Sequence, residues 1–132
     1  MISLHACDIA TDYALEKAVK NNVKYIFSVP CCQHEVNGQI KTDYDLGVML
    51  KHGLIKERFS ALLTDAIRCD ILKSYGYNVD VIEFVDFDHS PKNLMIRAVK
   101  NKKSARKIIG DDVKTLLEKL NLEPTIIKLL GN

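Results

Sequence analysis

The sequence predicts an α/β domain built on a four-stranded sheet, with three parallel strands and a last strand that is antiparallel to them. Two observations predict this fold. Short runs rich in β-branched and aromatic residues alternate with longer segments whose apolar residues recur at helical spacing. The last two predicted strands are joined by a connection that is too short for a parallel crossover. The predicted order of elements is therefore β-α-β-α-β-β-α-α, with helices flanking the sheet.

The composition is that of an ordinary globular domain. The chain has 132 residues, of which 47% are hydrophobic and 27% are charged, and its formal net charge is +2. That charge is too small to indicate binding to nucleic acid or to an anionic membrane. No apolar run approaches the ~18 residues of a membrane span, and polar residues interrupt the start of the chain, unlike in a signal peptide. We expect one cytoplasmic domain with no membrane partner and with its four cysteines reduced.

The first predicted strand covers residues 2–4, which we interpret as the end of a buried central strand. A polar turn follows, and Thr11 is placed to cap a helix over residues 11–21. Acidic residues near the start of this helix and lysines near its end suit the helix dipole. A strand, a polar turn and a helix start together predict functional side chains at the carboxyl edge of the sheet.

Residues 23–29 form the second predicted strand, which is parallel to the first because a helix connects the two. This strand ends at Pro30, since proline cannot continue a central ladder. Residues 36–41 are predicted to be a loop. A helical pattern begins at Asp43, is interrupted at Gly53 and then continues with a wide apolar stripe.

Residues 78–86 and 94–99 form the third and fourth predicted strands, separated by a turn or loop at residues 87–93. Two amphipathic helices, over residues 104–121 and 124–130, complete the chain.

Three polar clusters are predicted to meet at one edge of the sheet. They lie at residues 5–12, 30–34 and 86–93, after the first, second and third strands. The carboxyl ends of these strands share an edge with the start of the fourth strand, so the topology alone brings the clusters together. This convergence is the main argument from the residues for a functional site.

Motifs in these clusters resemble a known family. The sequence is His-Ala-Cys-Asp-Ile-Ala-Thr-Asp at residues 5–12 and Val-Pro-Cys-Cys-Gln-His at residues 29–34. These two motifs resemble those that follow the fourth and fifth strands of a class I S-adenosylmethionine-dependent methyltransferase. Glu-Phe-Val-Asp at residues 83–86 and the segment 89–97 resemble the sixth and seventh strands of that family, so the resemblance is to its C-terminal half. A family of tRNA 2′-O-methyltransferases is similar more loosely.

The resemblance implies a truncated Rossmann-like half-sheet, with its strands in the order first, second, fourth, third. Residues 1–100 would be the second half of a methyltransferase sheet, and residues 101–132 a C-terminal helical extension of the same single domain. The resemblance further implies S-adenosylmethionine as the cofactor of the complete enzyme and RNA or another macromolecule as the methyl acceptor.

The sequence departs from the family in one respect. The family's glycine-rich loop and the acidic residue that together hold the cofactor are not found, and no Gly-x-Gly occurs. This difference argues against cofactor binding by this chain alone. We therefore expect an inactive portion of the enzyme that lacks the cofactor-binding half and forms a homodimer through the exposed edge of the first strand.

The resemblance also assigns roles to residues in the clusters. His5 and Asp8 are the expected catalytic residues, which orient or deprotonate the acceptor. The expected acceptor-binding residues are Cys7, Thr11, Asp12, Pro30, Cys31, Cys32, His34, His89 and Asn93.

Other interpretations of the same residues stay open. A polar side chain can simply cap a helix, and two adjacent thiols can pack in a tight turn. No metal ligands are assigned, although Cys7, Cys31, Cys32 and His34 offer sulfur and nitrogen donors for a tetrahedral zinc ion. The alternative function is a non-catalytic interaction domain that kept the fold, and a zinc-binding module is the third interpretation.

Overall fold

The structure, a computed structural model, describes residues 1–41, 45–84, 93–101 and 108–131. The strands are β1 (Ile2–Leu4), β2 (Tyr25–Val29), β3 (Tyr77–Glu83) and β4 (Leu94–Lys100). The helices are α1 (Ile9–Lys20), α2 (His34–Gln39), α3 (Gly47–Leu50), α4 (Gly53–Ser74), α5 (Asp111–Leu120) and α6 (Thr125–Leu130). Within the described ranges, no helix combines the length and the apolar character needed to cross a membrane.

The strands lie in the order β1-β2-β4-β3, which is the order that the resemblance implied. β1 and β2 form a parallel pair, with Leu4 beside Val29. β4 is antiparallel both to β2 and to β3. The sheet is therefore mixed, with one parallel pair and two antiparallel pairs rather than three parallel neighbours. β3 points the same way as β1 and β2, but β4 lies between β2 and β3.

The core lies between one face of the sheet and helices that include α1, α4 and α6. Ile26 and Ala98, which are partners in the β2–β4 ladder, are fully buried on this face. Leu15 of α1, Ile71 of α4 and Ile126 of α6 are also fully buried and belong to the same apolar cluster. Each such aliphatic side chain contributes about 1.5–3 kcal/mol through its removal from water.

β1 is not the buried central strand that residues 2–4 indicated, although its position agrees with the exposed edge that we expected for the first strand. It is the edge strand of the described sheet, and Ile2 and Leu4 are 73% and 64% exposed. These two side chains alternate with Ser3, which is beside Ser28 of β2 on the opposite face. The prediction was wrong because an apolar strand sequence indicates burial only where another element covers it, and none of the described elements does.

Two further predictions of local structure are wrong. Residues 36–41, expected to be a loop, belong mostly to α2, which is anchored by the fully buried Val36. Its six residues are too few to display a helical period, and Gly38 favours a loop. α1 begins at Ile9 with Asp8 as its N-cap, so Thr11 lies inside the first turn and does not cap the helix.

Other boundaries differ by a few residues. β2 begins two residues later than predicted, and β3 begins one residue earlier. Pro124 precedes α6 as its N-cap, whereas the sequence placed it in the first turn. Parts of the predicted third strand, of its following loop and of the helix at residues 104–121 lie outside the described residues.

We propose that two copies of the chain associate through the edge and the exposed side chains of β1, since no other described strand pairs with that edge. An unpaired strand edge presents main-chain donors and acceptors that another strand can bind. We expect the wild-type chain to be a dimer by light scattering. We expect Leu4→Lys to be a monomer, because it places a charge among the apolar side chains of the interface.

Val48→Lys is the control for this experiment. Val48 lies on α3 and is 71% exposed, so it is as accessible as the β1 side chains. This variant should keep the mass of the dimer. A monomeric wild-type chain, or a dimer that Leu4→Lys leaves intact, would contradict the proposal.

Candidate functional site

The loops that follow β1 and β2 are held together by main-chain hydrogen bonds. The N–H of His5 donates to the Val29 carbonyl at 3.0 Å, and the N–H of Asp8 donates to the Cys32 carbonyl at 2.8 Å. The first two polar clusters therefore meet at one edge of the sheet, as the topology predicted. The contact requires positive φ angles at His5 (54°) and Asp8 (46°), each of which costs roughly 1–3 kcal/mol in a residue other than glycine.

Three thiols lie at this contact. Cys7 follows β1, and its Sγ is 3.2 Å from the Sγ of Cys31. The Sγ atoms of Cys7, Cys31 and Cys32 all lie within 4.8 Å of one another. Burial, together with thiol hydrogen bonds to Cys7 and Cys32, raises the pKa of Cys31 to about 12.

The two histidines of these clusters do not join the thiols. The side chains of His5 and His34 are exposed. Among the described residues, the group of potential metal ligands at this place contains the three cysteines and no histidine or carboxylate. The four-donor arrangement that the sequence offered for zinc, with His34 as the fourth ligand, is therefore not formed.

The Asp8 carboxylate connects the first loop to α2. Its Oδ2 accepts a hydrogen bond from the backbone N–H of Glu35 at 3.0 Å, and it makes no side-chain cap to α1. The Glu35 carboxylate in turn accepts hydrogen bonds from the backbone N–H and the hydroxyl of Thr125 at 2.9 and 2.7 Å. This chain of contacts ties the first loop to α2 and α6.

Thr11 and Asp12 lie in the core beneath the loops. The Thr11 hydroxyl is fully buried and donates to the Ala6 carbonyl at 2.7 Å. Asp12 is 1% exposed, and its Oδ1 accepts a hydrogen bond from Nε of Arg68 at 2.7 Å. Burial raises the pKa of the Asp12 carboxyl, an effect that the Arg68 guanidinium opposes. Neither side chain is exposed to an incoming acceptor, so both act on the site through the fold.

Arg68 is buried below the loops and bonds to residues that position them, a role that was not predicted from the sequence. Its fully buried guanidinium also donates to Asp65 Oδ1 at 3.0 Å and to the Asp8 carbonyl at 2.8 Å. Asp65 accepts a further hydrogen bond from Nε2 of Gln33 at 3.1 Å. Arg68 thus connects α4 with α1 and with both loops. The sequence does contain a sign of this role, because Arg68 lies on the apolar face of a predicted helix. An arginine buried at such a position requires anionic partners.

A cavity of about 430 Å³ opens beside these loops. Pro30 and Asn93, both predicted acceptor-binding residues, line it, so the start of β4 contributes to the same region as the loop after β2. Gln33 also lines the cavity, and its Oε1 is buried with no hydrogen-bond partner among the described residues. His89, the other acceptor-binding residue predicted near β4, lies outside the described residues.

The lining of the cavity is partly apolar and partly acidic. Leu54 and Leu62 of α4 supply apolar lining. The charged side chains that line it are Glu57, Arg58, Asp65 and Glu83. With three carboxylates and one guanidinium, the lining favours a neutral or cationic group over an anionic one.

The residues of this chain do not form the S-adenosylmethionine site that the resemblance implies. In that family a glycine-rich loop directly after a strand lets the backbone approach the cofactor. None of the glycines of this chain follows the carboxyl end of a strand. They lie within helices or at helix ends, at Gly38, Gly47, Gly53, Gly76, Gly110 and Gly131.

A family model described as "Methyltransferase domain" matches residues 1–39. That segment runs from β1 to the end of α2 and contains all three clustered cysteines. The match supports a methyltransferase-like domain in this part of the chain. No solved structure matches the chain significantly.

Curated relatives extend the comparison beyond residue 39. Proteins named "Glutathione S-transferase C-terminal domain-containing protein" from Bos taurus, Macaca fascicularis and Homo sapiens are each 25% identical to this chain over 122 residues. The match covers 74% of this chain and 19% of each relative, so the chain spans about a fifth of the length of these relatives.

Removing the guanidinium of Arg68 should strongly destabilise the domain. Arg68→Met keeps much of the side-chain volume but leaves the Asp12 carboxylate buried beside an apolar group. We expect the free energy of unfolding, measured by urea denaturation, to fall by about 3–5 kcal/mol, which is typical of a broken buried ion pair.

Arg58→Met is the matched control. Arg58 lies on the same helix but is exposed, and an exposed charge contributes at most about 1 kcal/mol. An equal loss of stability in the two variants would show that the buried guanidinium has no special role.

Proposed function

We propose that this chain forms the acceptor-binding side of an S-adenosylmethionine-dependent methyltransferase. One observation carries the proposal. The family match covers the loops after β1 and β2, and the second of these loops continues into the wall of the cavity through Pro30 and Gln33. Ligands of open α/β sheets bind outside the carboxyl ends of the strands, which is where these loops lie.

The lining of the cavity suggests the chemical character of the acceptor. Gln33 lines the cavity and its buried Oε1 has no hydrogen-bond partner among the described residues, so we propose that it accepts a hydrogen bond from the bound group. The excess of carboxylates disfavours a phosphate or a carboxylate as the bound group. We therefore propose that the bound group is uncharged and donates hydrogen bonds, as the edge of an unpaired RNA base does.

His5 and Asp8 have different parts in this proposal. His5 is exposed in the loop that is bonded to the loop after β2, so its imidazole is accessible to orient or deprotonate an acceptor. Asp8 is held by the N–H of Glu35 and acts as a positioning residue for both loops. The methyl group itself is supplied by the cofactor when it is bound in a complete enzyme, and the residues that hold the cofactor are not found in this chain.

The alternative function is a non-catalytic interaction domain, and one observation favours it. The exposed apolar side chains of β1 lie beside a strand edge to which none of the other described strands pairs, a surface suited to binding another protein chain. If the chain binds no nucleoside but still associates through β1, the interaction domain is the favoured function.

Titration of the ¹⁵N-labelled chain, followed by NMR, tests the proposal. The probes are S-adenosylhomocysteine, the four common ribonucleosides and a short single-stranded RNA. We expect a nucleoside or the RNA to shift amide signals of residues that line the cavity, and S-adenosylhomocysteine to produce no shifts. Leu62→Trp, which fills the cavity from α4, should weaken the binding by about tenfold or more, equivalent to ~1.4 kcal/mol.

Leu116→Trp is the control, because Leu116 lies on α5 outside the lining of the cavity and is also exposed. It should leave the binding unchanged. If none of the nucleosides nor the RNA shifts the cavity signals, the proposed acceptor class is wrong. Binding of S-adenosylhomocysteine would instead contradict the conclusion that this chain lacks a cofactor site.

A further inference from the structure

The three clustered thiols do not line the cavity and form a separate group beside it. The sulfurs of Cys7, Cys31 and Cys32 come from two different loops and lie within 4.8 Å of one another. Thiolates are soft ligands that bind zinc with high affinity. We propose that these three cysteines bind one zinc ion, with the fourth coordination position open to solvent.

The backbone holds the thiols in place before any ion is bound. The hydrogen bonds His5 N–H to Val29 and Asp8 N–H to Cys32 enclose Cys7 between them on the first loop. The Asp8 side chain adds a third contact through the N–H of Glu35. The loops cannot separate without breaking these bonds, so a metal ion would not need to order the site.

The sulfur positions need only a small change to coordinate zinc. Two sulfurs that are both ~2.3 Å from a tetrahedral zinc ion lie roughly 3.8 Å apart. The Sγ atoms of Cys7 and Cys31 are 3.2 Å apart, a distance suited to a thiol hydrogen bond. Because Cys7 is exposed, its side chain is free to rotate and widen this distance.

The number of ligands implies an open coordination position. Within the described ranges, neither a histidine nor a carboxylate joins the three cysteines. Structural zinc sites have four protein ligands, whereas a site with three protein ligands binds water at the fourth position. Binding would release three thiol protons to the solvent and leave a zinc–trithiolate of charge −1, with no change in oxidation state.

Metal titration of the reduced, metal-free chain tests this proposal. We expect one zinc ion per chain by elemental analysis after dialysis. Cobalt(II), used as a spectroscopic probe for zinc, should give sulfur-to-cobalt charge-transfer absorption of the intensity expected for three thiolates. No tight binding of either ion, or a spectrum without thiolate charge transfer, would overturn the proposal.

Alanine variants identify the ligands. Cys7→Ala, Cys31→Ala and Cys32→Ala should each weaken cobalt binding by at least about tenfold, since loss of an outer-shell contact alone can have that effect. Cys69→Ala is the matched control, because Cys69 is buried on α4 outside the cluster. His34→Ala should also bind cobalt normally.

Far-ultraviolet circular dichroism of each variant establishes that it is folded. Because Cys7 is exposed, Cys7→Ala should destabilise the fold less than Cys31→Ala or Cys32→Ala. Normal cobalt binding by folded Cys7→Ala would overturn the three-thiolate site. Loss of binding in His34→Ala would overturn the open fourth position, because it would place His34 in the coordination sphere. None of these results depends on methyltransferase activity.

Discussion

The buried guanidinium of Arg68 is the constraint on which the rest of the edge depends. Every described contact of this group reaches a different part of the fold: Asp12 on α1, Asp65 on α4 and the backbone of Asp8 after β1. A buried ion pair gives little net stability, because removing both charges from water offsets their attraction. The main effect of this ion pair is to fix the relative positions of the elements that it joins. A guanidinium donates in fixed directions, so it sets where α1, α4 and the first loop lie relative to one another.

The same constraint explains why two residues with positive φ angles are tolerated. The strained turn of His5 and Asp8 is held by main-chain bonds to the neighbouring strand end and by the Arg68 guanidinium on the Asp8 carbonyl. Strained backbone persists only where surrounding contacts determine it. A relaxed turn would break those contacts and would separate the thiol of Cys7 from those of the second loop.

The order of the strands was predicted only through the resemblance to a known family, whereas the sequence itself was sufficient to predict the meeting of the first two loops, because the connection between their strands is long enough for a crossover. The sequence was not sufficient to predict whether β1 is buried, because burial depends on which other element covers the strand. Nor did it predict the contact between Arg68 and Asp12, which are 56 positions apart. Local patterns report helical period and caps, whereas a buried ion pair depends on the packing of distant elements.

The segment from Pro30 to Gln33 connects the two candidate sites. Its ends, Pro30 and Gln33, line the cavity, while Cys31 and Cys32 between them belong to the thiol cluster. Four consecutive residues share one backbone, so a shift of the thiols is transmitted to the cavity wall. Gln33 is further restrained by Asp65, which Arg68 holds. An ion on the thiols would therefore act on the cavity through a segment that is already fixed at its far end, and would restrict the position of the Gln33 carboxamide rather than move the whole loop.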